Sequence, residues 1–321
     1  MRFIKFAVLA ALFALPVSSV DAGVLTSLIS GANATPLQLN DDSRDFFVDI
    51  DSSGGVSVGD VLFGVVQIDS TSPPNISTEN QLYGVFSQTF ETIGIDPGDG
   101  TASGTFAPTT GDFSLNDLIS GSGEVVNDDA FVAVFERAGG FSVDIDSFNI
   151  GDVPGVTDAE SLIDSIADEG VFDFSAGFRD GAGAAPGPLG LADTGDFFGF
   201  QTDLSLATIN GALAAGPEGI LNSIQLGSFG GGLSVLDNNL GPGVQFFDNL
   251  LAVSPFGNTF AELTITGGTF SAVGGTPEND IFPIINNADF TINAVVPEPG
   301  SIAIWGGMLG FCGLTRRRRL S

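Results

Sequence analysis

The sequence predicts an all-β fold, a β-sandwich of jelly-roll type with one or two short helices packed on it. Three observations carry that expectation. Short segments rich in Val, Ile and Phe recur along the chain between Gly, Pro, Asn and Asp. Glycine supplies 45 of the 321 residues, the punctuation that many tight turns need. Sustained helical periodicity is rare. A hydrophobic share of 43% suffices for a packed core.

The strands can be taken in order. Residues 61–69 and 81–93 echo each other, Leu62-Phe63-Gly64-Val65 returning as Leu82-Tyr83-Gly84-Val85. A polar connection with Pro73, Pro74 and Asn75 lies between them, so they are expected to pair antiparallel. Residues 131–137 and 141–145 flank Ala138-Gly139-Gly140, a hairpin signal. Further strands are expected at 171–178, 196–206, 233–236, 244–253, 260–270 and 289–295. One helix stands out: Thr157-Asp158-Ala159-Glu160 is a capping box, Leu162, Ile163 and Ile166 share a face, and Gly170 closes it. Residues 208–221 fit either a short helix or a loop. The Gly/Pro-rich stretch 181–190 reads as a long loop within a single domain, because the strands on either side look incomplete alone.

Composition excludes several chemistries. The chain has no His, and its single Cys is Cys312. Ser-His-Asp and Cys-His relays, His-ligated zinc, thiolate clusters and an internal disulfide are therefore out of reach. The formal charge is -30. Between Gly23 and Thr315 only Arg44, Arg137 and Arg179 oppose 38 acidic side chains, a net of -35. Such a body is repelled by nucleic acid and by anionic membrane surfaces, so no nucleic-acid partner is expected.

Both ends carry targeting signals. Arg2 and Lys5, the apolar run 6–15 and Val20-Asp21-Ala22 compose a secretory signal peptide over residues 1–22, implying export machinery and a signal peptidase as partners. Cleavage is expected after Ala22, leaving Gly23 as the mature start. At the other end Val296-Pro297-Glu298-Pro299-Gly300 precedes an apolar segment, 301–315, and then Arg316, Arg317, Arg318 and Arg319. As a helix that segment is roughly 22 Å long against a hydrocarbon core of roughly 30 Å. Gly306, Gly307, Gly310 and Gly313 weaken it further. It suits a temporary transmembrane tether, with the arginines held on the cytoplasmic side.

Pro297-Glu298-Pro299, a short transmembrane segment and a terminal arginine cluster, in that order, resemble the PEP-CTERM sorting domain. The resemblance covers residues 296–321 and leaves the body, 23–295, unassigned. It implies an exosortase substrate, anchored transiently in the inner membrane and then delivered to the cell surface or the extracellular space. It also implies Pro297, Glu298 and Pro299 as recognition residues, Arg316 to Arg319 as orienting residues, and extracellular polysaccharide as a candidate partner.

One local motif carries a mechanism. Asp49-Ile-Asp-Ser-Ser-Gly-Gly-Val-Ser-Val-Gly-Asp60 places oxygen ligands as a calcium loop of the EF-hand or dockerin type does. Asp49, Asp51, Ser53, the Gly55 carbonyl, Ser57 and Asp60 occupy ligand positions 1, 3, 5, 7, 9 and 12, with Gly54 at 6. Ser at position 5 and Asp at 12 predict a weak site, on the order of 10⁻⁴ to 10⁻³ M. The competing expectation is a hairpin turning at Ser53-Gly54-Gly55, because Val61, Phe63, Val65 and Val66 read as a strand where an EF-hand would continue as a helix.

Other groupings are weaker. Asp96-Pro97-Gly98-Asp99-Gly100 reads first as a turn, and Asp144, Asp146 and Asp152 define no site. Thr264-Ile265-Thr266 is the lone Thr-x-Thr row, too little for an ice-binding face. A glycosidase needs only two carboxylates, yet aromatic sugar platforms are scarce, with one Tyr and one Trp, Trp305, in the C-terminal apolar segment. No catalytic residues are assigned and no enzyme is expected. The expected function is an exported cell-surface or matrix protein with a structural, adhesive or ligand-binding body. The alternatives are a carboxylate-dependent enzyme acting on extracellular polysaccharide and a calcium-stabilised binding module.

Overall fold

A computed structural model describes residues 23–32, 36–72, 76–137, 156–179, 196–215, 227–241, 243–253, 256–272 and 281–296. Eight strands carry the architecture: β1 (Leu37–Val48), β2 (Val61–Ser72), β3 (Ile76–Ile95), β4 (Thr101–Pro108), β7 (Phe197–Ser205), β8 (Gly227–Asn238), β12 (Leu263–Ala272) and β13 (Ile281–Ile292). They pair in the order β12-β13-β1-β2-β3-β4-β7-β8, and β8 pairs back onto β12 from Leu263↔Leu233 to Gly267↔Phe229. The sheet therefore closes on itself as an eight-stranded barrel, antiparallel throughout.

Two more strands, β5 (Ala130–Glu136) and β6 (Val171–Gly177), bridge β3 and β8 a second time. β3 is 20 residues long and shares one edge between two partners. Gly84 faces Val66 of β2 on one side and Val134 of β5 on the other, while residues 88–95 turn that second edge to β4. Smaller pieces complete the strand set among the described residues: β10 (Asn249–Val253) with β11 (Gly257–Ala261), and β9 (Gln245–Phe246) with β14 (Ala294–Val295).

The apolar run in β2 shows how sequence becomes layer. Residues 61–68 are buried without a break, because both faces of this strand are covered. Leu62, Val66 and Ile68 join Phe47, Phe90, Phe106, Phe198 and Phe200 in one core. Val61, Phe63 and Val65 belong to a second, with α2 (Leu115–Leu118), its C-cap Ile119 ahead of the 3₁₀ turn Ser120–Ser122, and α3 (Val156–Glu169) supplying Leu115, Leu118, Ile119, Ile163 and Ile166. The alternation of period two assigns each side chain to its core. An eight-stranded barrel is just wide enough for its interior to be filled by side chains, and Phe fills this one. Phe90, Phe106 and Phe200 pack in mutual contact with centroids 4.9–5.2 Å apart. The cavity left beside Val66, Gln88, Phe131, Phe198 and Phe229 is about 20 Å³, room for about one water.

Helix α1 (Val24–Ala32) adds Leu25, Leu28, Ile29 and Ala32, one face at i, i+3, i+4 and i+7, to the same interior core. In β8 the run Gly230-Gly231-Gly232 lets neighbours approach closely. A Cβ at Gly231 would lie 2.5 Å from the Phe197 carbonyl oxygen.

The all-β expectation holds, but the sheet is barrel-like with extra strands and not clearly a jelly-roll sandwich. The difference has a physical source: alternation tells which way side chains point, whereas closure depends on β8 meeting β12. The expected antiparallel pairing of β2 with β3 is present, centred on Val65↔Val85 between the two echoed segments. The expected helix at 157–170 runs Val156–Glu169, and the ambiguous 208–221 begins as helix α4 (Leu206–Ala215). Strands β1 and β4 and helix α1 were not expected. Among the described residues no helix is long and apolar enough to cross a membrane. Residues 1–22, 138–145, 181–190 and 297–321 lie outside the described residues, as do Asp144, Asp146 and Asp152.

Candidate metal centre

Strands β1 and β2 pair up to Val48↔Val61, so residues 49–60 form the loop of a hairpin. The chain leaves Asp60 directly as a strand, and an EF-hand's second helix has no place here. The loop nevertheless gathers its carboxylates. Asp49, Asp51 and Asp60 each present an oxygen, all within 4.8 Å of one another. Calcium holds oxygen ligands at 2.3–2.6 Å, so two ligands of one ion lie at most about 5 Å apart. The cluster meets that limit.

Backbone amides hold the cluster in place. Asp49 accepts from Ser53 N at 3.0 Å through Oδ1 and from Gly54 N at 2.6 Å through Oδ2. Asp60 accepts from Ile50 N at 3.0 Å and from Ser57 N at 2.6 Å. Asp51 accepts from Ser53 N and from the Ser57 hydroxyl. Ser53 Oγ donates to the Gly55 carbonyl at 3.1 Å. All six residues expected as ligands are thus linked through one hydrogen-bonded loop. Its tight winding uses positive φ at Ser52, Gly54 and Gly59, of +55°, +81° and +100°.

The electrostatics set the three acids apart. Asp49 and Asp60 are buried, whereas Asp51 is exposed. Burial pushes the Asp60 carboxyl above the usual carboxylate range, and the Asp49 charge adds to the rise. The Ser53 side-chain hydrogen bond lowers that of Asp51. Three acids this close repel one another, and a hard divalent cation would relieve the repulsion while accepting their spare lone pairs.

Asn210 of α4 contributes what sequence reasoning missed. Its Oδ1 accepts from Val56 N at 2.9 Å, tying the loop to a helix 154 residues away. No local pattern announces such a contact. A second missed group is acidic and internal: Glu136 on β5 and Asp173 on β6 are both buried. A third is the cluster around Arg179, whose guanidinium donates to Glu262 at 2.6 Å and to the Val235 carbonyl at 3.2 Å.

The remaining expected groups fall as follows. Asp96 and Asp99 cap a turn, accepting from Gly98 N and Thr101 N. Thr264 is 2% exposed, so the Thr-x-Thr row does not form an open face. Pro297, Glu298, Pro299 and Arg316 to Arg319 lie outside the described residues. No family model, no curated protein and no solved structure matches this chain.

Proposed function

We propose that this is an exported module of the cell surface or extracellular matrix, sorted by its C-terminal signal, with a barrel that serves a structural, adhesive or ligand-binding role. The 49–60 loop binds Ca²⁺ and stabilises the barrel at the β1–β2 rim. The observation that carries the metal reading is the convergence of Asp49, Asp51 and Asp60 on one point within 4.8 Å. Location supports it as well: a site of millimolar strength fills outside the cell, where extracellular modules of this affinity work. The acidic body, its leader and its arginine-stoppered tail support export, and the tail's resemblance supports exosortase processing.

The test is thermal. Millimolar calcium raises the unfolding midpoint of residues 23–295, and Asp49→Ala with Asp51→Ala abolishes the rise. An unchanged midpoint in the parent returns the loop to a plain hairpin. Incubation of the same protein with a glycan panel separates binding from catalysis: saturable binding without product supports the adhesive reading, and new reducing ends support the polysaccharide enzyme. Replacing Pro297-Glu298-Pro299 by alanines leaves uncut precursor in the membrane; normal processing would refute the sorting role.

A further inference from the structure

The first turn of α1 rests on an acid. Leu25 N donates to Glu136 Oε2 at 3.0 Å, across 111 residues of sequence. Glu136 is 9% exposed. The carboxylate also crowds Gly23, where a Cβ would overlap its Oε1 and Cδ. A side chain there would have to displace the carboxylate. The Gly23 nitrogen is bonded to the same Cα, so it lies within the roughly 4–6 Å over which an opposite charge favours ionisation.

Behind Glu136 stands Asp173, 4% exposed, whose Oδ2 has no hydrogen-bond partner. Desolvation, and then the Glu136 charge, push its carboxyl up to about 9. Two buried acids thus sit together, and the neighbouring cation in sequence, Arg137, is committed to Glu169. A buried charge left without a counterion is strongly destabilising. The missing charge is a cation at the position of Gly23 nitrogen.

We propose that removal of the leader between Ala22 and Gly23 creates that cation, and that the new Gly23 α-ammonium pairs with Glu136 beside Asp173 to lock α1 into the end of the barrel. The inference rests on the leader being cut after Ala22. The chemistry is hydrolysis. Water adds its hydroxyl to the Ala22 carbonyl as the C–N bond breaks, and Gly23 nitrogen keeps the electron pair and takes up protons to become the ammonium. In the precursor the same nitrogen is a neutral amide, and the acids stay unmatched. Cleavage therefore tightens the fold only after the chain has crossed the membrane, when it no longer needs to be unfolded.

The test exploits a feature of composition: Lys5 is the only lysine, so a chain starting at Gly23 has one primary amine. Residues 23–321 are prepared in detergent with that amine either free or acetylated. The free amine is expected to raise the thermal midpoint by roughly 5 °C and to react with an amine-acylating reagent far more slowly folded than unfolded. Glu136→Gln erases the difference between free and acetylated chains; Asp173→Asn, neutral like the protonated acid it replaces, leaves it in place. Equal midpoints together with a freely labelled amine in the folded parent would overturn the proposal. N-terminal sequencing of the exported protein is read separately. A start other than Gly23 overturns the cleavage assignment, and the purified chains still decide whether the pairing forms.

Discussion

At the scale of single residues, the acids of this chain differ by environment more than by type. Asp51 and Asp99 are exposed and stabilised as anions by hydroxyl and amide donors, whereas Asp173 is buried and kept neutral, up to about pH 9. That difference makes a prediction with a definite sign. Asp173 holds its proton when folded and loses it near its ordinary value of 3.8 when unfolded. Its contribution to stability is full below that value and declines as pH rises towards about 9. In the uncleaved or acetylated chain, Asp173→Asn should therefore flatten the fall in thermal midpoint between about pH 5 and 8. A slope identical to the parent's would mean that other groups dominate. Neither the burial nor the Glu136 neighbour is visible in the string Val-Phe-Asp-Phe-Ser, which alternates as any strand does.

At the scale of elements, the 49–60 loop shows how far local spacing reaches. Its ligand spacing was legible because every carboxylate and hydroxyl involved lies within twelve residues, and the hairpin was legible from the strand that follows. Asn210 was not, since it belongs to α4 and meets the loop only in the folded molecule. Asn210→Ala should leave the Val56 amide without its acceptor, costing about 1 kcal/mol. Calcium would then act at roughly fivefold higher concentration in a thermal titration, because the loop would be ordered by the ion instead of beforehand. Equal calcium midpoints would show that α4 merely neighbours the loop. Strand β1 was missed for a similar reason. Its middle, Asn40-Asp41-Asp42-Ser43-Arg44-Asp45, reads as a polar loop. In the barrel it pairs with β2 and β13 on its two sides, and Asp41, Ser43 and Asp45 are buried.

At the scale of the whole molecule, charge opposes compaction. The sequence carries a net of -35 between residues 23 and 315, and two ion pairs form among the described residues. Screening should therefore stabilise the fold. With calcium chelated, raising NaCl from about 0.02 to 0.3 M should increase the thermal midpoint, since the screening length falls from roughly 20 Å to below 8 Å. A midpoint that falls with salt would show that specific ion pairs outweigh the general repulsion. The same repulsion would give a bound calcium ion, or the proposed Gly23 ammonium, its leverage, since each would add positive charge among carboxylates.

Sequence by itself determined the all-β character, the helix at 156–169, the pairing of β2 with β3 and the spacing of the loop's acids, because each depends on neighbours within some thirty residues. Tertiary structure alone decided that the sheet closes, that β3 divides one edge between β4 and β5, that Asn210 braces the loop, and that Glu136 lies under Gly23. Those are contacts between segments many tens of residues apart. Periodicity orients a side chain to one face of its strand, but what waits on that face is set by the packing of the whole chain.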